Sequence, residues 1–487
     1  MNFSLVSWHG GGVKPPSIKS SLSLIALCYL GMALVSIARF ALAGTLKVDD
    51  ILLPWVQWLP LQLLFGIFAG LAGWIYLKSL SKTFEKSALS QLLVAAIGIH
   101  LIAALALPFT SNDLFSNLAY GRMSQLGIIP YLSGPEVLDS KNPFASLVGS
   151  AWQSTPMVYG PILGVLNSWI VKAGDVWQSL IAYKLVLLVF SIGIVFLAYV
   201  YCRSHLSRDR AVTSFIFIAL NPVLLWEVSG QAHNDGVMVF AMMGFIILAS
   251  LDYPWAAIAC LTFAFFAKFA VLPLLGLYLC YIFYRSPLRA ILMGFGIAAV
   301  GLFLNHDWLQ GFLTATKVTP LRITNSFTYL IYRAFTPAGE EVQQFVYKLC
   351  NSLSTLFLIG LALRFALRAK TLQNVLRDSL LFLLLYNLIF AAGFQPWYVT
   401  WLLPMALAVE DKGLQQFVAI YSVVAIIQYT FTNCFLWSAL NIFLLTISSL
   451  SLGRGIKGEG SVYSSALSPH PGPLPQGEGE KNASVCV

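Results

Sequence analysis

About fourteen apolar runs divide this 487-residue chain, and many approach the roughly 20 residues a helix needs to cross a bilayer. Only 10% of the residues are charged and 58% are hydrophobic. Soluble domains carry about 25% charge. Backbone polar groups in hydrocarbon must be satisfied within the spanning element, which leaves closed barrels and helices. Barrel strands alternate over about ten residues, whereas these runs are continuous. The chain therefore reads as an all-α polytopic integral membrane protein with about 13–14 spanning helices.

Lys/Arg bias sets the orientation. With the N-terminus inside, the inner connections collect Lys78, Lys82 and Lys86, then Arg203, Arg208 and Arg210, then Arg364, Arg368, Lys370 and Arg377. The net charge of +9 is thus assigned to cytoplasmic loops, and no nucleic-acid partner is expected. One step strains this scheme. Both 160–173 and 178–200 are apolar, and two crossings there would turn Arg203 outward. We read one crossing within 160–202, with 160–173 lying in or re-entering the outer interface. Residues 1–20 form a cytoplasmic N-terminus, 21–452 the membrane domain, and 453–487 a disordered cytoplasmic tail rich in Gly, Pro and Ser. The seven cysteines are scattered and show no metal-ligand spacing.

Four polar islands then fall on the outer side. The first is a large loop, 110–161, with Asp113 just beyond an apolar run. The second is Ser229–Asp235, the third the loop 306–342 with Arg322 and Arg333, and the fourth Phe394–Tyr398. Polar groups near a bilayer are costly unless they serve a site, so their gathering on one face implies one site. Asp113 suits a general base for an acceptor hydroxyl; the competing role is a helix cap formed with Ser111 and Asn112. Asn112, Tyr120, Arg122 and Tyr159 are further substrate contacts from the first loop. His233, Asn234 and Asp235 suit sugar hydroxyls, with a cap for the next helix as the alternative. Gln395, Trp397 and Tyr398 suit a sugar ring, against an ordinary interfacial aromatic belt. Lys268, Arg322 and Arg333 suit a phosphate, against snorkelling or a solvated loop. His233 and Asp235 are too few ligands for a closed metal site, so no metal and no cofactor is expected.

In chain order these islands are SNDLFSNLAYGR, Asn142-Pro143-Phe144, Tyr159-Gly160-Pro161, Asn221-Pro222 with Trp226, His233-Asn234-Asp235, Lys268, and Gln395-Pro396-Trp397-Tyr398. The set resembles the GT-C-fold glycosyltransferases that use polyprenyl-phosphate sugars. Within them it is most similar to bacterial polyprenol-phosphate-mannose-dependent α-1,6-mannosyltransferases. The resemblance spans about residues 20–450. It implies a GT-C-like bundle in the cytoplasmic (inner) membrane with an outward-facing site. It also implies inverting transfer of a hexosyl residue, expected to be mannosyl, from a lipid-phosphate donor to a glycan or glycolipid acceptor. Asp113 takes the place of the family's catalytic carboxylate. Two other readings stay open: a lipid-linked sugar flippase or transporter, which needs polar groups near the midplane, and a lipid-diphosphate-dependent polysaccharide polymerase or ligase.

Overall fold

The computed structural model describes residues 18–47, 55–81, 89–139, 141–304, 307–318, 327–391, 393–409 and 411–430. Arg322, the apolar run 435–451, the tail 453–487 and most of the N-terminal segment lie outside the described residues. The described chain is all-α, with no β-strand. The main helices are α1 (Ile18–Ala43), α2 (Trp55–Leu80), α3 (Leu89–Ala103), α4 (Asp113–Gln125), α5 (Pro161–Ile170), α6 (Val176–His205), α7 (Arg208–Ala219) and α8 (Asp235–Ser250). They continue with α9 (Pro254–Ala267), α10 (Leu272–Arg285), α11 (Pro287–Phe303), α12 (Asp307–Val318), α13 (Phe327–Ala334), α14 (Glu340–Arg368), α15 (Leu372–Leu385) and α16 (Lys412–Ile427).

Among the described residues, α1, α2, α6 and α14 are each long and apolar enough to cross a membrane, and two bent pairs raise the number to six. Five further apolar helices are shorter. The chain is thus a polytopic membrane protein. Among the described residues, its other expected runs appear as shorter or broken helices. The run 397–410 splits into a 3-10 turn, Pro396–Leu402, and a short α-turn, Leu403–Ala408. Proline near each start removes an N–H and fixes the local backbone.

The run 212–229 bends by 44° between α7 and a π-helical segment, Leu224–Gly230. Pro222 causes the break. The freed backbone groups are met by side chains. Tyr76 donates to the Phe217 carbonyl at 2.9 Å and Tyr29 to that of Pro222 at 3.3 Å. Asn221 accepts from the Val223 N–H at 3.0 Å and donates to Tyr76 and to Ser422 of α16. These bonds lock α1, α2 and α16 around the kink.

In the segment 160–202 one helix has the length of a span. Helix α5 and its 3-10 extension to Ala173 are too short to span. Helix α6 then starts on a capping box: Asp175 accepts from the Gln178 N–H at 2.9 Å, and Gln178 accepts in return at 3.0 Å. The loop 110–161 is ordered around α4. Its apolar residues Leu114, Phe115, Leu118, Met123, Tyr131 and Met157 form a core of their own, closed against Tyr183 and Leu187 of α6. Glycine permits two close approaches. A Cβ on Gly121 would lie 2.4 Å from the Asn167 carbonyl oxygen of α5, and one on Gly160 would lie 2.0 Å from that of Phe266 at the end of α9.

Candidate functional site

The site forms where α4 begins, α8 begins and α9 ends. Helices α8 and α9 pack as an antiparallel pair. At their open end Lys268, just past α9, pairs with Asp235, the first residue of α8, at 2.7 Å. Asp235 is fully buried. Its Oδ1 also accepts from the Trp401 indole N–H, while its Oδ2 is buried with no hydrogen-bond partner. Lys268 lies within 3.4 Å of the Asn234 side-chain oxygen and sits over the rings of Tyr159 and Trp401, at 5.4 and 5.6 Å. The capping alternative for Asn234 and Asp235 thus does not describe their side chains. Neither caps α8; both turn inward instead.

Asn234 donates to Asn117 Oδ1 at 3.2 Å, and Asn167 of α5 donates to the same oxygen at 3.0 Å. Asn117 donates back to the Asp113 carbonyl at 2.8 Å. One buried amide thereby ties α4, α5 and the α8 start together. Asp113 opens α4 next to Asn112, whose side chain makes no capping bond. The Asp113 carboxylate is 16% exposed, against 2% for its neighbour His233. The acidic group therefore keeps part of its surface exposed while His233 beside it is sealed.

His233 stands at the centre. Its Nδ1 is 3.8 Å from Asp113 Oδ2 and its Nε2 is 3.3 Å from Glu227 Oε2. The ring stacks on Trp397 at 3.9 Å. The backbone reaches this position through Ala232, at a φ of 58° that non-glycine residues rarely adopt. Its turn is pinned by the His233 N–H bonding the Glu227 carbonyl at 2.8 Å. Burial, then the charge of Lys268, holds the imidazole well below its usual value, so His233 is neutral at neutral pH. Burial, then Asp113, pushes the Tyr159 phenol well up. Tyr159 is a neutral hydroxyl beneath Lys268.

The other residues read from the sequence fall in different places. Trp397 lines the His233 face, and Tyr398 stacks on Trp401 at 4.2 Å, so protein already occupies one face of each ring. Gln395 is half-buried and its carbonyl accepts from the Tyr398 N–H at 3.0 Å. Tyr120 donates to the Thr155 carbonyl at 2.8 Å and braces the loop. Arg122 lies nine residues along α4 from Asp113, roughly 14 Å at 1.5 Å per residue, and bonds Gln125 at 3.1 Å. Arg333 is exposed on α13 and makes none of the contacts that join the group.

Three participants lie outside the islands: Glu227, Trp401 and Lys184. Glu227 and Lys184 sit within apolar runs, and such intramembrane ionisable groups are themselves a signal. The Lys184 ammonium is buried and donates to the Gly230 carbonyl, at the end of the π-helical segment. Asn117 lies within the first island, where nothing in SNDLFSNLAYGR sets it apart from its polar neighbours.

Residues 23–283, more than half of the chain, match the family of α-(1→6)-mannopyranosyltransferases over its N-terminal domain. The chain belongs to this family. The matched segment holds Asp113, Glu227, His233, Asp235 and Lys268, whereas Trp397 and Trp401 come from beyond it. α-(1→6)-Mannopyranosyltransferase A of Corynebacterium glutamicum is 28% identical over 203 residues, 40% of this chain and 39% of the relative. Mannopyranosyltransferase B of the same organism is 29% identical over 150 residues, 30% of this chain and 23% of the relative. The A enzyme of Mycobacterium tuberculosis is 28% identical over 168 residues, 34% of this chain and 31% of the relative. The chain spans less than two-fifths of the length of these curated relatives. No solved structure matches it significantly.

Proposed function

We propose that the protein is an inverting mannosyltransferase. It moves a mannosyl residue from a polyprenyl-phosphate donor to a hydroxyl of a glycan or glycolipid on the outer face of the cytoplasmic membrane. Asp113 takes the acceptor proton as the acceptor oxygen attacks the anomeric carbon. The bond from that carbon to the phosphate oxygen breaks, and its electron pair leaves with the lipid phosphate. Lys268 faces the departing charge. Its ammonium has three N–H donors, with Asn234 and Asp235 as neighbours, and the side chain keeps 13% of its surface exposed. A fixed cation where charge develops favours the transition state over the ground state. The outward orientation rests on the Lys/Arg bias of the connecting loops.

One observation carries this reading. Asp113 is the part-exposed carboxylate of a buried polar group that also holds a cation, His233–Asn234–Asp235 and two stacked indoles. Membranes carrying the protein are incubated with labelled polyprenyl-phosphate mannose, glucose or arabinose, and the label in the acceptor fraction is counted. Mannose label is expected to move. Asp113→Asn, folded and inserted, is expected to lose about 10²- to 10⁴-fold in rate, the contribution of a positioned base. Normal turnover in that variant removes Asp113 from the role.

A further inference from the structure

Glu227 is a carboxyl group that the proposed reaction does not use. It is fully buried on the π-helical segment, a helix form that recurs at functional sites. Neither of its oxygens has a hydrogen-bond partner at good geometry; the Tyr429 hydroxyl lies alongside, and His233 Nε2 is 3.3 Å away. Among the described residues no Lys or Arg forms an ion pair with it. An unpaired carboxylate in such a place costs many kcal/mol, and the group neutralises instead. A neutral carboxyl group carries one O–H donor. His233 Nε2 is likewise buried without a hydrogen-bond partner, 3.3 Å from Glu227 Oε2.

The segment is held firmly enough for this to matter. Ser229 bonds Ser191 of α6 at 2.8 Å and His100 of α3 at 2.7 Å. The second nitrogen of His100 is 3.0 Å from the Ala219 carbonyl. Lys184 closes the end at Gly230. The strained Ala232 then swings His233 back beneath Glu227, and backbone strain of this kind gathers at functional sites.

We propose that Glu227 is a positioning residue: as the neutral acid it donates to Nε2 of His233 and so fixes the tautomer whose Nδ1–H points at Asp113. This rests on the mannosyltransferase reading above. The Nδ1–H then orients the Asp113 carboxylate and keeps it ionised, with its other oxygen turned to the acceptor. The separation of 3.8 Å tightens when substrate closes the site, as such bonds do. Glu227 and His233 keep their protons throughout; the acceptor proton goes to Asp113 alone. The logic is that of a catalytic triad, in which a carboxyl group fixes an imidazole's tautomer for the group that reacts.

The test uses the full chain in lipid nanodiscs, with labelled polyprenyl-phosphate mannose and octyl α-mannoside as probes. Glu227→Gln keeps an N–H donor of nearly the same shape and is expected to hold kcat within about threefold of wild type. Glu227→Leu removes the donor and is expected to lower kcat about 10- to 100-fold, with donor KM unchanged within about twofold. His233→Gln removes the ring and is expected to show the same fall. A folded Glu227→Gln as inactive as Glu227→Leu overturns the proposal, since charge rather than donation is then needed. Wild-type kcat in Glu227→Leu, or a rise in KM alone, overturns it too. Should Glu227→Leu not fold, Glu227→Gln and His233→Gln decide together: an active Gln at 227 beside a kcat loss at 233 supports the proposal, and any other pairing overturns it. If wild-type protein transfers no mannose, the enzymatic reading falls and takes this inference with it. If wild type transfers and Asp113→Asn does not, while both Glu227 variants behave as wild type, the inference alone fails.

Discussion

The Lys268–Asp235 pair makes an unequal prediction for its two partners. Asp235 is fully buried, while Lys268 keeps 13% of its side-chain surface in contact with the outside. Truncating Lys268 to Ala leaves a buried carboxylate with no cation. Breaking a buried pair in this way costs about 3–5 kcal/mol. The Trp401 indole N–H still bonds that carboxylate, which places the expected loss near the lower figure, about 3 kcal/mol. Asp235→Asn removes the opposite charge. The Asn oxygen still accepts from Trp401 and Lys268, and the ammonium, being part-exposed, can turn toward water. Only the charge-assisted part of two bonds is lost, about 1–2 kcal/mol. Lys268→Ala should therefore destabilise more than Asp235→Asn by about 1–2 kcal/mol. Thermal unfolding of the purified variants, followed by intrinsic tryptophan fluorescence, measures the difference. In the transfer assay Lys268→Ala should raise donor KM more than acceptor KM. Equal stability of the two variants refutes the argument that burial makes Asp235 depend on its cation.

Two further predictions concern the frame of the site. Gly160→Ala puts a methyl group 2.0 Å from the Phe266 carbonyl oxygen and strains the 3.0 Å bond from the Gly160 N–H to the Ala267 carbonyl. It should cost about 2–4 kcal/mol in thermal stability and raise donor KM by displacing Tyr159 from Lys268. His233 is neutral in the folded protein and takes a proton below about pH 6.5 when unfolded. Protons thus bind the unfolded chain first, and stability should be full above about pH 6.5 and fall below it, by up to about 1.4 kcal/mol per pH unit. His233→Asn should lack that part of the acid loss; an unchanged acid profile would mean that His233 is protonated in the fold.

Much of this was legible in the chain. Continuous apolar runs with so few charges permit helices in a membrane and little else, because an unsatisfied backbone has no water to turn to. The short helix after Gly160-Pro161 follows from local chemistry, since proline removes a donor and fixes φ; the break at Asn221-Pro222, within a run that reads as one crossing, shows only in the fold. Asp113, the His233–Asn234–Asp235 island and Lys268 stood out because polar groups beside apolar runs are expensive. Tertiary structure decided which of them meet. Periodicity says that Asn234 and Asp235 precede a helix, which fits a cap equally well; only the packing of α8 on α9 turns both side chains inward to Lys268 and Asn117. It also decided that Arg122 bonds Gln125, that Arg333 is exposed on α13, and that Glu227, inside an apolar run, faces His233. The reason is range. Local sequence sets backbone conformation over a few residues, whereas a carboxyl group's neighbours across 166 positions, as between Asp235 and Trp401, exist only once helices have packed.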